Sequence, residues 1–433
     1  MTESSQSYPL LSERLADPQN GLKGLKVGLV SSTFILGRSY QENLWAESLA
    51  DLGAQVSVFI PIDRGSPQSQ SPFECETPLG TLFHVTEVPS YILPRNQVLT
   101  SKLGDHLEDF APQLVIWVGC IMFFGRALYL EKRLAHIPMI TIYSLSRRGR
   151  HPFAWHHPNL SLSCRLQSFV FQTIRAPILT RTLKRAQLTI ANTPECTDII
   201  RQYVWGDERI SWAKKHEEIP LGFCPHTFSY QPSLRRVTRE ALPINDQDIV
   251  MLFSSRFEEN KWAALESVFL ITEHFMSQLS PQELETTHML WIGANDNDVT
   301  ARFKRLLDAS PFSDRHHLIS FQSRQRLSTF YHAADIALFA QPSISCQEAM
   351  GTGLLVLCPH DPSLDHLQQY SPRLVQSPMR GWVDELLRIS RDLRINSSTD
   401  EVRLSAATQA QSLSYTSLVC QTLMALSNRL TLP

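Results

Sequence analysis

The residues best suited to chemistry lie between Ala334 and His360, in ADIALFAQPSISCQEAMGTGLLVLCPH. Ser343 and Ser345 offer hydroxyls, and Glu348 falls in the first turn of a helix expected to begin near Cys346. A helix N-terminus presents free backbone N–H groups and a dipole that favours anions. A carboxylate beside it can accept hydrogen bonds from a sugar diol. The stretch therefore suits a phosphate joined to sugar hydroxyls, although an N-capped helix of any α/β protein would carry the same residue types.

A second group is SSRFEENK, Ser254–Lys261. It follows an apolar run, which puts Arg256 and Lys261 at the carboxyl end of a buried strand. Two cations there can bind a diphosphate and stabilise it as it leaves. Surface pairing with Glu258 or Glu259 is the competing fate. Asp296-Asn297-Asp298 is spaced like a DxD metal motif, but it follows MLWIG and precedes a helix, so an N-cap is expected and no metal. In the polar loop SLSRRGRHPFAWHH, His151, His156 and His157 are candidates for acid–base work or substrate contact. Gly37, in TFILGRS, permits either a close backbone approach to a ligand or a plain turn.

The elements that must position these groups alternate strand and helix. Lys26–Ser32, Gln55–Ile60, Leu82–Glu87, Leu114–Gly119, Met139–Tyr143, Leu188–Ala191 and His216–Pro220 read as strands of a first series. Tyr40–Leu52, Ser101–Phe110 and Arg126–His136 read as its helices, and Pro61–Pro78 as a loop. A second series runs Ile249–Ser254, Trp262–Met276, His288–Gly293, Val299–Ala309, His317–Phe321, Arg324–Ala333, Ile336–Phe339 and Leu354–Cys358. Helices near Trp382–Leu393 and Glu401–Ser427 close the chain. Alternation of this kind predicts doubly wound parallel sheets, whose ligands sit at the carboxyl ends of the strands. With 433 residues, two domains are expected. Their boundaries fall at a flexible lead-in 1–24, a first domain 25–225, a proline-bearing linker 226–245, a second domain 246–400 and a terminal helical segment 401–433.

Composition narrows the classes. A net charge of -2 gives no overall affinity for nucleic acid. The 17 glycines contain no GxGxxG, which disfavours a dinucleotide-dependent dehydrogenase. Eight scattered cysteines without metal spacing fit reduced thiols in a cytoplasmic protein, and the polar N-terminus lacks the apolar core of a signal peptide. Between Lys132 and Glu195 the chain carries arginine and lysine but no acid. Leu162–Arg185 within it is an amphipathic pattern. It is either a surface for anionic lipid or an anionic acceptor, or a solvated face balanced elsewhere.

Four ordered motifs carry a resemblance. YQENLWAESLADLGAQVSVF (Tyr40–Phe59) comes first, then NTPECTDIIRQY (Asn192–Tyr203) with IPLGFCPHTF (Ile219–Phe228). SSRFEENK follows, and FQSRQRLSTFYHAADI (Phe321–Ile336) runs into SISCQEAMGTGLLVL. From about Lys26 to Leu367 the chain resembles the retaining glycosyltransferases of family 4, which have the GT-B fold: two Rossmann-like doubly wound domains facing across a cleft. It is similar to the branch with a PSIS-x-QEAM-x-TG motif that lacks the first glutamate of E-x7-E, a position held here by Ala340. The family's usual histidine aligns with Tyr143.

The resemblance implies that Arg256 and Lys261 bind the donor diphosphate and that Glu348 holds its ribose. It places Phe321 at the nucleobase, Ser343, Ile344 and Ser345 at the phosphates, and Gly37 near the donor. His151 is the substitute for the missing catalytic histidine, and Arg148 and His156 lie on the acceptor side. The implied activity is metal-independent and needs no cofactor: transfer of a sugar from a nucleotide-diphosphate sugar to a glycan or lipid-linked acceptor, as in polysaccharide or glycolipid synthesis. Such a protein is cytoplasmic, with peripheral contact at an anionic membrane. The alternatives are a GT-B binding or assembly protein with a degenerate site, for which Ala340 and Tyr143 speak, and a nucleotide-sugar epimerase.

Overall fold

A computed structural model describes residues 8–64, 72–93, 97–119, 123–144, 176–202, 211–341, 343–396 and 400–431. The chain divides into two units. The first holds the chain up to Leu36, Tyr40–Leu221 and Tyr415–Pro433; the second holds Gly37–Ser39 and Gly222–Ser414.

In the first unit the strands are β1 (Lys26–Val30), β2 (Gln55–Asp63), β3 (Phe73–Glu76), β4 (Leu82–Leu93), β5 (Gln97–Leu99), β6 (Leu114–Val118), β7 (Met139–Tyr143), β8 (Leu188–Ala191) and β9 (His216–Glu218). They lie in the order β3-β4-β2-β1-β6-β7-β8-β9, with β5 paired to β4. Pairing is parallel except for β3 and β5, which run antiparallel to β4. β6 and β7 are buried along their whole length, as continuous apolar runs require of strands covered on both faces. Helices α1 (Pro9–Ala16), α2 (Gln41–Asp51), α3 (Leu103–Phe110), α4 (Ala176–Arg185) and α5 (Pro194–Arg201) accompany them.

The second unit begins with helix α6 (Pro232–Ala241) and continues with strands β10 (Ile249–Ser254), β11 (Thr287–Ala294), β12 (His316–Ser320), β13 (Ile336–Leu338), β14 (Leu355–Cys358) and β15 (Leu374–Gln376). Helices α7 (Trp262–Ser277), α8 (Asp298–Ala309), α9 (Arg324–Ala333), α10 (Ile344–Gly351), α11 (Trp382–Asn396) and α12 (Asp400–Ala410) belong with them. The sheet is parallel throughout, in the order β12-β11-β10-β13-β14-β15. Trp291 on β11 is fully buried among Phe253, Phe269 and Phe303. At its amino edge, Asp335 accepts from Arg235 and Arg239, each at 2.7 Å, and from the Val250 amide at 2.9 Å.

Several expectations need correction. Residues 9–24, expected as a flexible lead-in, are folded: α1 packs on the last helix, α13 (Tyr415–Leu430), of the same unit. Ser427 Oγ donates to the Ser12 carbonyl at 2.8 Å, and Leu15 and Leu22 are buried. The single expected helix 401–427 is two, α12 and α13. They are separated at Gln411–Ser414, where Leu413 is buried and its carbonyl accepts from Phe223 N. The 226–245 stretch, read as a linker, carries α6, whose Arg239 is buried and bonded to the Ala333 carbonyl. The loop expected over Pro61–Pro78 contains β3, and Leu82–Glu87 extends to Leu93.

Candidate functional site

In the second sheet β10 lies between β11 and β13. From β10 the chain winds outward to β12, then returns to β13 and winds the other way. The carboxyl ends of β10 and β13 therefore flank a topological switch point, where such sheets open a crevice for ligands. Ladder pairing between the two strands covers only Met251↔Ile336 and Leu252↔Ala337, so the chains part before Ser254. The two motifs singled out in the sequence leave the sheet from these two ends.

The loop after β10 is held from below. Gly293, at φ +123°, lies against it, and a Cβ there would stand 1.7 Å from the Ser255 carbonyl oxygen. Asn297 Nδ2 donates to the Phe257 carbonyl at 2.7 Å, and Phe257 is buried edge-on against Phe303. Asn297 also caps α8, its Oδ1 accepting from Thr300 N at 2.9 Å, so the Asp296–Asp298 tripeptide acts as an N-cap. Arg256 is exposed and pairs with Glu258 at 3.2 Å, the surface fate weighed above. Lys261 is half-buried, and burial, then the charge of Arg256, lowers its pKa. The two cations thus neighbour one another, with the Glu258 carboxylate acting on both.

Ser343 stands at the N-cap of α10 in extended conformation, and its side chain makes no cap hydrogen bond. Among the described residues, no side chain caps the first amides of the helix, at Ile344 and Ser345. Glu348 is buried at 2% exposure. Burial pushes its carboxyl up to about 7, against hydrogen bonds from Ser39 and Ser345 and the charge of Arg324. Phe321 follows β12, and its amide is fixed by the Ala294 carbonyl at 2.7 Å. The Arg38 guanidinium lies 4.1 Å from the centre of its ring. Gly37, at φ +72°, starts the Gly37–Ser39 segment that supplies both Arg38 and Ser39 to this unit. Ala340 packs against the apolar core of the unit.

One group escaped the sequence reading. Tyr331 of α9 is fully buried, with its hydroxyl 2.7 Å from Ser254 Oγ at the end of β10. No local pattern marks it, because a tyrosine on an amphipathic helix is ordinary core.

In the first unit the order reverses between β1 and β6. Near the carboxyl edge, Gln41 Nε2 donates to Asn192 Oδ1 at 3.2 Å, and Ser144 Oγ donates to Gln41 Oε1 at 3.0 Å. Glu42 is buried, accepts from Thr33 at 3.0 Å, and has its pKa raised by burial. Tyr143 ends β7 and is buried. Arg148, His151, His156 and His157 lie outside the described residues. Of the acid-free span, Arg133 binds Asp105, Glu108 and Glu131, and Arg185 donates to the Leu134 and Ile137 carbonyls. Those two cations serve the fold. No described helix is long and apolar enough to cross a membrane.

No protein-family model matches the sequence, and no curated protein does. Solved structures do match. Sucrose-phosphate synthase from Thermosynechococcus elongatus is 14% identical with a TM-score of 0.59, covering 92% of this chain and 97% of that one. HepE from Anabaena, in complex with UDP-glucose, is 15% identical with a TM-score of 0.59, covering 93% and 100%. WaaG, a glycosyltransferase involved in lipopolysaccharide biosynthesis, is 15% identical with a TM-score of 0.55, covering 94% and 99%. The likeness is one of fold, and the fold is that of GT-B glycosyltransferases.

Proposed function

We propose that the chain transfers a sugar from a nucleotide-diphosphate sugar to an acceptor hydroxyl, with retention at the anomeric carbon. The observation that carries the proposal is the meeting of two loops at one switch point: Arg256 and Lys261 rise from β10, and the uncapped amides of α10 with Glu348 follow β13. Cations and a helix N-terminus on either side of a crevice suit a diphosphate, and a buried carboxylate one turn further suits a ribose diol. HepE was solved with UDP-glucose, which fits this assignment. Family 4 membership is part of the same proposal and rests on the four ordered motifs.

In the proposed reaction the bond from the anomeric carbon to the diphosphate oxygen breaks while the acceptor oxygen bonds to that carbon on the same face. The acceptor proton passes to the departing phosphate oxygen. Arg256, Lys261 and the α10 amides stabilise the charge that develops there, so no metal ion is invoked. Gly37, Phe321, Ser343, Ile344 and Ser345 are assigned to the donor, His151 to the place of the family's usual histidine beside the reacting sugar, and Arg148 and His156 to a glycan or lipid-linked acceptor. Peripheral contact with anionic lipid, drawing on Arg181 and the cations around Arg148, completes the proposal. Retention on vesicles containing anionic lipid at low salt tests it.

The deciding experiment incubates the protein with a panel of nucleotide sugars and acceptors. It measures released nucleoside diphosphate and reads the anomeric configuration of the product by NMR. Lys261→Ala is expected to lower turnover by about 10²–10³-fold with its circular dichroism unchanged. Release of an altered sugar without acceptor would identify an epimerase, and no turnover with any donor would leave a binding protein.

A further inference from the structure

We infer that Ser144 is a specificity-determining residue for the substrate that receives the sugar. Its hydroxyl proton is committed to the protein, so it reads only a proton given to it, the O–H of a neutral polyol. The inference deepens the transfer reaction proposed above and rests on it.

Three elements of the first unit bring the groups together. β7 and β8 pair as far as Tyr143↔Ala191, and the Asn192 amide donates to the Tyr143 carbonyl at 3.1 Å. Ser144 and Asn192 therefore leave the sheet side by side at its carboxyl edge, where open α/β sheets take ligands. Gln41, the first residue of α2, meets them from the helix that follows β1. The three side chains close a ring. Ser144 Oγ donates to Gln41 Oε1 at 3.0 Å, Gln41 Nε2 to Asn192 Oδ1 at 3.2 Å, and Asn192 Nδ2 to Ser144 Oγ.

The ring fixes the polarity of the hydroxyl. A serine hydroxyl has one proton and two lone pairs. Here the proton goes to an amide oxygen, and one lone pair receives an amide proton. Turning both amides over reverses the sense of the ring and leaves that count unchanged. One lone pair remains, and among the described residues nothing else bonds it. Gln41 and Asn192 are buried at 8% and 3% exposure, whereas Ser144 is exposed, so Ser144 is the member of the ring that a ligand can reach.

A lone pair with no proton to offer repels the oxygens of phosphate and carboxylate and accepts from a hydroxyl. The ring itself is uncharged and favours no anion. A sugar hydroxyl held there turns its hydrogen to Ser144 and keeps its own lone pairs for other partners. Joining the strand ends does not require the ring, because backbone pairing already reaches Tyr143 and Asn192.

The test uses the full chain as wild type, Ser144→Ala and Ser144→Thr. The probes are the methyl α-glycosides of glucose, mannose and galactose, with binding read by saturation-transfer NMR. Wild type is expected to bind at least one of them, about tenfold more tightly than Ser144→Ala does. Ser144→Thr, which keeps the hydroxyl, should lie within about twofold of wild type. Monofluoro analogues of the bound glycoside then test the polarity. Fluorine gives no hydrogen bond, so at one position its replacement of the hydroxyl should cost wild type about tenfold in affinity, and that discrimination should vanish in Ser144→Ala. The inference is overturned by a wild type that binds none of the glycosides, by fluoro analogues that all bind like the parent, or by a Ser144→Ala variant with undiminished affinity. A merely structural ring would lower the melting temperature of Ser144→Ala without moving glycoside affinity. Should Ser144→Ala not fold, the fluoro series on wild type decides. Calorimetric titration of wild type with UDP, ADP and GDP separates the two readings. Glycoside binding without any nucleotide binding overturns the transfer reaction, while the glycoside series still decides the role of Ser144.

Discussion

Gly293 lies so close to Ser255 that a Cβ on it would stand 1.7 Å from the Ser255 carbonyl oxygen. Its φ of +123° is also one that side chains with a Cβ rarely adopt. Gly293→Ala must therefore lift the loop that carries Arg256. The expected outcome is a loss of about 3 kcal/mol in stability, from backbone strain plus the clash. Nucleoside diphosphate affinity should fall in the refolded protein as well. Urea unfolding and calorimetry check the two effects separately.

Glu348 sets a conflict between stability and binding. Its carboxyl is raised from 4.5 to about 7 by burial. A raised acid binds its proton more tightly in the folded state. The stability it contributes is fully present below about pH 4.5 and is lost as pH rises through about 7, to the extent of about 3 kcal/mol. Glu348→Gln removes the titration. The melting temperature of the variant relative to wild type should climb between pH 5 and pH 8, while its affinity for a ribose-bearing nucleotide drops. Calorimetric scans at both pH values read the first effect, and binding isotherms the second.

Arg38 stands 4.1 Å from the centre of the Phe321 ring, on the surface proposed for the nucleobase. A base can stack there only after the guanidinium leaves. A cation–π contact of this exposure is worth about 0.5–1 kcal/mol. Arg38→Ala should then tighten nucleoside diphosphate binding by about threefold, and Phe321→Leu should weaken it. Equal affinity in wild type and Arg38→Ala would remove Phe321 from the donor site.

Asp335 is a buried anion of the second unit, 2.7 Å from both Arg235 and Arg239. Burial alone would raise its pKa, but Arg235, Arg239 and Arg403 outweigh burial and hold it below the usual carboxylate value. Its contribution is present above the unfolded pKa and lost as pH falls through the folded one. Asp335→Ala leaves buried guanidinium groups without their anion and should cost about 3–5 kcal/mol. Denaturant unfolding at neutral pH measures the loss, and the difference from wild type should shrink in strong acid.

Much of this molecule could be read from its residues in order. Apolar runs such as Leu114–Val118 and Ile249–Ser254 are buried strands because an unalternating run has no solvent face to offer. Asn297 could be read as a cap because its neighbours are a strand and a helix start. Elements whose partners lie far along the chain were hidden. α1 looks polar until α13, some four hundred residues later, covers Leu15 and Ser12. The break at Gln411–Ser414 has no proline or glycine to announce it, since it is made by the Leu413 carbonyl accepting from Phe223.

Sequence by itself determined which groups leave the carboxyl ends of β10 and β13, because strand period, helix caps and loop composition are local properties of the chain. Tertiary structure decided that these two strands are neighbours and that their ladder ends early. It also decided that the Gly37–Ser39 segment joins the second unit and lays Arg38 over the Phe321 ring. Those relations depend on sheet order and burial. Both are set by how apolar faces pair over long separations, and no window of residues contains them.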